Sequence, residues 1–416
     1  MKFIHAADIH LDSPLCGLAR YEGAPVEQVQ NASRQAFINL IDCACHEAVD
    51  FILLAGDLYD VDWKDYNTGL FFNQQMSRLR EANIPVFMVL GNHDAGNNIT
   101  RELRLPDNVK KFSYQNCETQ VLEHLGVAIH GQSFANKTVT EDLSAAYPNA
   151  IPGYFNIGLL HTSLNGRPGH ASYAPCTMPG LLSHGYDYWA LGHIHKREIL
   201  HENPWIVFSG NLQGRHARET GMKGCTLVTV AEGQATLKPI AVDVLRWEVC
   251  QLEVSEMVQA EEVVDNARWS VTQALQNAEG RPLAIRFVIE GAGSVHHELH
   301  SHSERWVNEI RAVATDAGLG NVWVEKILLQ TQAPHANRLQ EEGPLGELVD
   351  TLRALPRDGE SLQALSAEFR SLKNALPVEA RQSEKGSYID PDNVETIRQL
   401  LNGVEELLLA KLLAHE

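Results

Sequence analysis

Five apolar segments of this sequence each end in side chains that commonly bind metal ions. The segments are "FIHAA", "FILLAG", "FMVLG", "FNIGLL" and "YWALG". Burying aspartate, asparagine or histidine without partners is costly, so the repetition of this arrangement constrains the fold more than any single motif does. The side chains that follow these segments are Asp8 and His10, Asp57, Asn92, His161, and His193 with His195.

The spacing of these segments predicts an α/β fold. Strand and helix patterns alternate from residue 2 to residue 92, which favours a sheet of parallel strands with helices on its faces. Ligands in such sheets bind beyond the carboxyl ends of the strands, so we expect the five clusters to meet in one crevice. Strand runs between 126 and 230, including "CTLVTV", follow one another closely and predict a second sheet richer in antiparallel pairs.

The sequence changes character twice along the chain. Residues 1–245 carry the strand-end clusters, and residues 246–332 read as a small α+β unit of alternating strands and helices. Residues 333–416 hold short helical patterns broken by prolines and end in a leucine-rich stripe at 394–413. We therefore predict a catalytic domain, an accessory domain and a helical tail that docks on a partner.

The residue types in the clusters indicate the metal. Aspartate, histidine and asparagine without thiolates suit divalent Mn²⁺, Fe²⁺ or Zn²⁺. Seven candidate ligands are too many for one ion and suit two ions that share a carboxylate, an arrangement that catalyses phosphoryl displacement. Glycines at 56, 91 and 192 stand directly before ligands and allow close approach of the backbone.

The motifs "DIH", "GDLYD", "GNHD", "LLHTS" and "GHIH" resemble those of the calcineurin-like metallophosphoesterases. With the α+β unit and the tail, the chain is most similar to the SbcD-type DNA-repair nucleases and, among them, to the YhaO-like branch. The resemblance implies a four-layer α-β-β-α sandwich of two mixed sheets, plus an α+β capping domain and a helical tail. The segment "SGNLQGRHARETGMKGC" differs from the Pro-Gly-Ser turn of SbcD itself.

The resemblance also implies roles for individual residues. Asp57 bridges two ions, His93 steadies the phosphate or protonates the leaving oxygen, and Asp94 orients His93. Asp60 supports the ligands. The first ion is expected on Asp8, His10, Asp57 and His195, and the second on Asp57, Asn92, His161 and His193.

Three weaker signals lie outside these motifs. The basic residues Arg215 and Arg218 predict a phosphate contact, with a solvated connection as the alternative. "HHELHSH" at 296–302 is expected to be an exposed polar helix face, with a metal-binding pair of His296 and His300 at i and i+4 as the alternative. Trp63 and Tyr66 follow "GDLYD", where they either border the crevice or pack on a helix.

Composition limits the cellular setting. The seven scattered cysteines suit a reducing compartment, and the sequence has neither a membrane-spanning run nor the pattern of a signal peptide at its start. We expect a cytoplasmic protein that has no membrane partner. The net charge of −19 excludes a surface that attracts nucleic acid everywhere.

Together these features predict a two-metal phosphodiesterase, with Mn²⁺ as the expected metal, that acts on DNA as an exonuclease or endonuclease. An SMC-like, SbcC-like ATPase is the expected partner of the tail, and a homodimer is an open alternative. A phosphoesterase for nucleotides or other small diesters is the first rival. A non-catalytic scaffold with the same fold is the second.

Overall fold

The computed structural model describes residues 1–13, 31–60, 66–96, 104–164 and 173–334, with a few single residues between 351 and 404. Its contacts form two compact units. The first unit is Met1–Val249, Gln273–Arg286 and Gly318–Glu325, and the second is Cys250–Thr272, Phe287–Ala317 and Lys326–Glu416. All seven predicted metal ligands belong to the first unit. The predicted tail, 333–416, lies almost wholly outside the described residues.

The strands of the described residues alternate with helices in the first third of the chain and follow one another more closely thereafter. They are β1 (Lys2–Ala6), β2 (Phe51–Ala55), β3 (Val86–Val89), β4 (Val109–Lys111), β5 (Glu118–Leu122), β6 (Val127–Gly131), β7 (Phe155–His161), β8 (Tyr188–Gly192), β9 (Glu198–Glu202), β10 (Trp205–Phe208), β11 (Gly224–Ala231), β12 (Gln234–Ala241), β13 (Arg246–Glu253), β14 (Leu283–Ala292) and β15 (Val322–Gln332).

The α-helices of the described residues range from one turn to nearly five turns. They are α1 (Ala32–Glu47), α2 (Tyr66–Glu81), α3 (Asn92–Ala95), α4 (Met178–Ser183), α5 (Glu261–Asn277), α6 (His296–Ser301) and α7 (Ser303–Gly318). None of these helices combines the length and the apolar character that are needed to cross a bilayer.

Two six-stranded sheets, both mixed, build the first unit. Their strand orders are β12-β11-β1-β2-β3-β4 and β5-β6-β7-β8-β10-β9. In the first sheet β1, β2, β3 and β4 are parallel, whereas β11 runs antiparallel to β1 and β12. In the second, β6, β7, β8 and β10 are parallel, with antiparallel β5 and β9 at the edges.

The prediction of a second sheet richer in antiparallel pairs is therefore wrong. Each sheet has two antiparallel pairs, and "CTLVTV" belongs to β11 of the first sheet rather than to the second. The physical reason is that β11 returns to pair with β1 across more than 200 residues of sequence, and strand spacing along the chain cannot report such a long-range pairing.

Alternating side chains divide the core of the first unit into layers. Phe3, Phe51 and Phe87 face the second sheet and pack in a cluster that also holds its inward side chains, such as Ile157 and Tyr188. The opposite face of the first sheet packs on α1 and α2. The outer face of the second sheet covers a cluster that includes α4. The predicted sandwich of two mixed sheets with outer helices is confirmed in this unit.

The third sheet has the order β13-β14-β15. In the second unit, the hydroxyl of Thr331 lies 2.9 Å from His296 Nδ1 and 3.1 Å from His300 Nε2. His296 is only 2% exposed. The prediction of an exposed polar face for "HHELHSH" is thus wrong at His296, because a threonine distant in sequence supplies its hydrogen-bond partner.

Candidate metal centre

The predicted ligands meet at the carboxyl ends of strands from both sheets of the first unit. β1, β2 and β3 place Asp8, His10, Asp57 and Asn92, and β7 and β8 place the three remaining histidines. All but His195 are buried. The groups whose ligand atoms lie close enough to share an ion are Asp8 with His10 and His195, Asp57 with His161 and His193, and His10 with Asp60 and His93.

The first ligand group centres on two imidazoles. His10 Nε2 lies 3.2 Å from His195 Nε2 and 3.9 Å from Asp57 Oδ2. The Nδ1 atom of each ring is held by a carboxylate, His10 by Asp60 at 2.7 Å and His195 by Glu219 at 2.6 Å. With Nδ1–H donating, both Nε2 atoms present lone pairs to each other, an arrangement that a shared cation relieves.

The second ligand group also uses Asp57. His161 Nε2 lies 3.1 Å from Asn92 Oδ1 and 3.5 Å from Asp57 Oδ2. Its Nδ1 is held by the carbonyl of Ala55 at 2.9 Å. Its ring lies edge-on to that of His193, with 5.2 Å between the ring centroids. Asp57 therefore stands between the two groups, with Oδ2 facing His10 and His161.

Burial keeps the imidazoles of His10 and His161 neutral. It lowers the pKa of His161 to about 3, and burial together with the charge of Arg215 lowers the pKa of His10 to about 4. A neutral imidazole keeps the lone pair that binds a metal ion. The donor set, the converging Nε2 atoms and their neutral state fit divalent metal ions.

The backbone is strained at four of the proposed ligand residues. Asp8, His10, Asp57 and His193 have φ values of 51°, 46°, 52° and 104°, a region that non-glycine residues rarely adopt. A Cβ on Gly192 would stand 1.9 Å from the carbonyl oxygen of Ala55. Strain and close backbone approach thus concentrate where the ligands converge.

Asp94 does not have its predicted role. Its carboxylate accepts hydrogen bonds at 3.0–3.2 Å from the backbone N–H groups of Leu58, Tyr59 and Gly91. Burial and the charge of Asp57 raise the pKa of Asp94 to about 7. Asp94 therefore braces the turns that carry Asp57 and α3, because these backbone N–H groups occupy both of its carboxylate oxygens.

Asp60 occupies the place predicted for Asp94. Its Oδ1 lies 3.3 Å from His93 Nδ1 and 2.7 Å from His10 Nδ1. Burial lowers the pKa of His93, but the charges of Asp60 and Asp57 outweigh it and hold the pKa above the usual value. His93 is half-buried at the site, next to the carboxylate of Asp60.

The loop at 211–224 supplies one predicted residue and one that was missed. Arg215 reaches the site, with Nη1 3.4 Å from Asp60 Oδ1 and Nη2 3.5 Å from His195 Nδ1. Arg218 is exposed and does not join it. Glu219, which the sequence analysis did not assign to the site, holds Nδ1 of His195 at 2.6 Å. No strand-end pattern marks it, since it comes from a loop.

The sequence predicted two aromatic residues near the crevice, and the structure adds a third. Of the predicted pair, Trp63 lies outside the described residues, and Tyr66 is 59% exposed at the start of α2. Tyr173, which no sequence signal marked, stands edge-on to His193 with 5.7 Å between ring centroids.

Comparison with known proteins decides the family. A family model described as calcineurin-like phosphoesterase matches residues 1–197, and one described as the middle domain of metallophosphoesterase YhaO matches 247–332. The uncharacterized metallophosphoesterase YhaO of Bacillus subtilis (strain 168) is 37% identical over 299 residues, which is 70% of this chain and 72% of that protein. The chain is a calcineurin-like metallophosphoesterase. The motif resemblance is thereby confirmed.

This phosphoesterase has more distant relatives among repair proteins. The DNA double-strand break repair protein Mre11 of Sulfurisphaera tokodaii is 25% identical over 62% of this chain and 66% of its own length. That of Saccharolobus solfataricus is 28% identical over 50% and 53%. The family and the ligand groups make the chain a metal-dependent hydrolase of phosphoesters that uses divalent ions.

Proposed function

We propose that this phosphoesterase is a two-metal phosphodiesterase that cleaves DNA. The observation that carries the proposal is the pair of ligand groups that share Asp57 beside a histidine and an arginine. Asp8, His10, Asp57 and His195 would hold one ion, and Asp57, Asn92, His161 and His193 the other. Two such ions supply an acidified water as nucleophile and neutralise charge on the phosphoryl group.

The chain's own residues supply the remaining chemistry. His93 sits beside Asp60, with its Nδ1 3.3 Å from Asp60 Oδ1. In this proposal it donates a proton to the departing sugar oxygen. Arg215 binds a non-bridging phosphate oxygen, and its guanidinium suits this role because its contacts with Asp60, Ser13 and His195 are long, at 3.4–3.5 Å.

DNA is the proposed substrate because the Mre11 relatives bear the name of DNA double-strand break repair proteins. With a net charge of −19, the isolated chain has a weak electrostatic hold on a polyanion. We propose that an SMC-like ATPase, bound through the tail, supplies that hold. Mn²⁺ is the proposed metal, since hard oxygen and imidazole ligands suit it. Homodimerisation and a cytoplasmic location stay predictions from the sequence.

A small phosphodiester is the second candidate substrate. Of the two predicted phosphate contacts, Arg215 lies at the site and Arg218 points to solvent. A single arginine beside the ligands suffices for one phosphate group, whereas a nucleic acid track needs several cations. This observation favours nucleotides or similar diesters if the chain works without a partner.

The test is hydrolysis by the full chain loaded with Mn²⁺, Fe²⁺ or Zn²⁺ in turn. Single- and double-stranded DNA and bis-p-nitrophenyl phosphate are the substrates, each with and without the candidate ATPase. The control is Asp57→Asn, which should lose both bound ions by elemental analysis while keeping its fold. Cleavage of DNA by the wild type alone supports the proposal. Cleavage of the small diester without any DNA cleavage, even with the ATPase, would overturn it.

A further inference from the structure

Three of the four proposed ligand histidines, His10, His161 and His195, have different groups holding the Nδ1 atom of the ring. His10 is held by Asp60, five residues past the last residue of β2, and His161 by the carbonyl of Ala55 in β2. His195 is held by Glu219, which comes from the loop at 211–224. The orientation of this ligand therefore depends on a loop rather than on a strand.

The two carboxylate oxygens of Glu219 serve different partners. Oε1 is 2.6 Å from His195 Nδ1, and Oε2 accepts from the backbone N–H of Arg215 at 2.8 Å and from Asn211 Nδ2 at 2.9 Å. Glu219 is only 8% exposed. One buried carboxylate thus connects a metal ligand to the residue that carries the guanidinium at the site.

The loop itself is anchored away from the ligands. Trp247 Nε1 donates to the carbonyl of Gly214 at 2.9 Å, and Gln213 Nε2 donates to the carbonyl of Leu245 at 2.6 Å. The N–H of Gly221 donates to the carbonyl of Trp247 at 3.1 Å. Because these bonds hold both ends of the segment, the fold of the loop does not rest on Glu219 alone.

We propose that Glu219 is a positioning residue that aims His195 Nε2 at the first metal ion and fixes Arg215 at the rim of the site. Its effect on metal binding is independent of the substrate, whereas its effect through Arg215 rests on the proposed function. Replacement by glutamine presents an amide donor where a second acceptor is needed. Either His195 or the pair Asn211 and Arg215 then loses its acceptor.

The experiment is stepwise Mn²⁺ titration of the full chain by calorimetry, with the melting temperature of the metal-free protein measured alongside. Glu219→Gln should weaken one of the two binding steps by about 10–100-fold, the typical effect of losing a carboxylate behind a ligand histidine. The other step should stay at its wild-type affinity, and the metal-free melting temperature should fall by only a few degrees, because the hydrogen bonds of Gln213, Gly214 and Gly221 hold the loop. Glu202→Gln, the same change at an exposed position on β9, should alter neither step.

Kinetics on bis-p-nitrophenyl phosphate test whether Glu219 also fixes Arg215 at the rim of the site. At saturating Mn²⁺, Glu219→Gln should raise KM more than it lowers kcat, and Arg215→Ala should raise KM less in that background than in the wild type. Wild-type affinity at both steps would overturn the positioning of His195. Equal weakening of both steps with a lower metal-free melting temperature would also overturn it, because that pattern reports a damaged fold. Absence of DNA cleavage by the wild type would affect the proposed function and leave the titration result intact.

Discussion

His93 and Asn92 are neighbours in sequence and have different surroundings. Asn92 Oδ1 lies 3.1 Å from the ligand atom of His161, whereas His93 Nδ1 lies 3.3 Å from Asp60. The side chain of Asn92 is buried among the ligands, and that of His93 is 31% exposed at the site. One is placed to hold an ion and the other to meet a substrate.

We therefore expect substitutions of His93 and of Asn92 to reduce activity in different ways. His93→Gln should keep both ions and lose about 10²–10⁴ in rate on DNA, the usual worth of general acid catalysis. It should lose least with bis-p-nitrophenyl phosphate, because p-nitrophenolate leaves without a proton. Asn92→Ala should lose rate on both substrates and recover partly in excess Mn²⁺. Equal losses on the two leaving groups, or loss of metal in His93→Gln, would remove the proton-donor role.

His5 is a buried titratable residue that does not belong to the metal centre. Its Nδ1 lies 3.0 Å from the hydroxyl of Tyr188 and its Nε2 3.1 Å from the carbonyl of Leu191. Burial lowers its pKa to about 3. Because the folded pKa is below the unfolded value, the unfolded chain binds a proton first as pH falls.

The contribution of His5 to stability is thus complete above pH 6.5 and is lost as pH falls toward 3. Wild-type free energy of unfolding should drop by about 1.4 kcal/mol more per pH unit than that of His5→Gln below about pH 6. Urea unfolding of both proteins with a chelator present, from pH 7.5 to 5, measures the difference. The other histidines make the same contribution to the pH dependence of both proteins, so the difference between the two curves reports His5 alone. Parallel curves would mean that His5 takes up a proton in the folded state.

Much of the metal centre could be predicted from single residues because each ligand ends a strand. Parallel strands bring their carboxyl ends to one edge, so a local pattern carries tertiary information. Asp94 and Glu219 lacked such a signal. The direction of Asp94 depends on how α3 turns after β3, and Glu219 reaches His195 only through the folding of a loop. The spacing of residues along the sequence indicates neither property.

At the scale of elements, the loop at 211–224 depends on the first residues of β13 and the residue before them. Trp247 is fully buried, and its indole N–H satisfies the carbonyl of Gly214, next to Arg215. The sequence predicted a boundary near residue 245, but strand patterns could not indicate that the residues just beyond it would hold this loop. Their hydrogen bonds join positions about 30 residues apart.

Trp247→Phe keeps the buried benzene ring and removes the indole donor together with the rest of the five-membered ring. The carbonyl of Gly214 is then left without its partner, which should cost about 1–3 kcal/mol of unfolding free energy. Chemical denaturation with Trp269→Phe as the matched control measures this, since Trp269 is 62% exposed on α5. Equal stability of the two variants would show that the Gly214 carbonyl finds another donor.

At the scale of the whole molecule, every residue assigned to the centre lies within the first unit, Met1–Val249 with two later segments. The leucine-rich stretch at 394–413 is far from these residues in sequence, and almost all of it lies outside the described residues. Its apolar stripe remains a sequence-based reason to expect a docked partner. Catalysis and docking should therefore be separable by truncation.

Deleting 335–416 should leave hydrolysis of bis-p-nitrophenyl phosphate at the wild-type rate, because no ligand or substrate contact proposed above is removed. The same deletion should abolish co-purification with the SMC-like ATPase and, with it, the stimulation of DNA cleavage. Deleting only 394–416 separates the leucine stripe from the proline-broken stretch before it, and should have the same effect on the partner if the stripe is the docking site. Undiminished affinity of both truncated proteins for the ATPase would place docking within residues 1–334, where the exposed Trp269 and Val258 of the second unit would be the first positions to substitute.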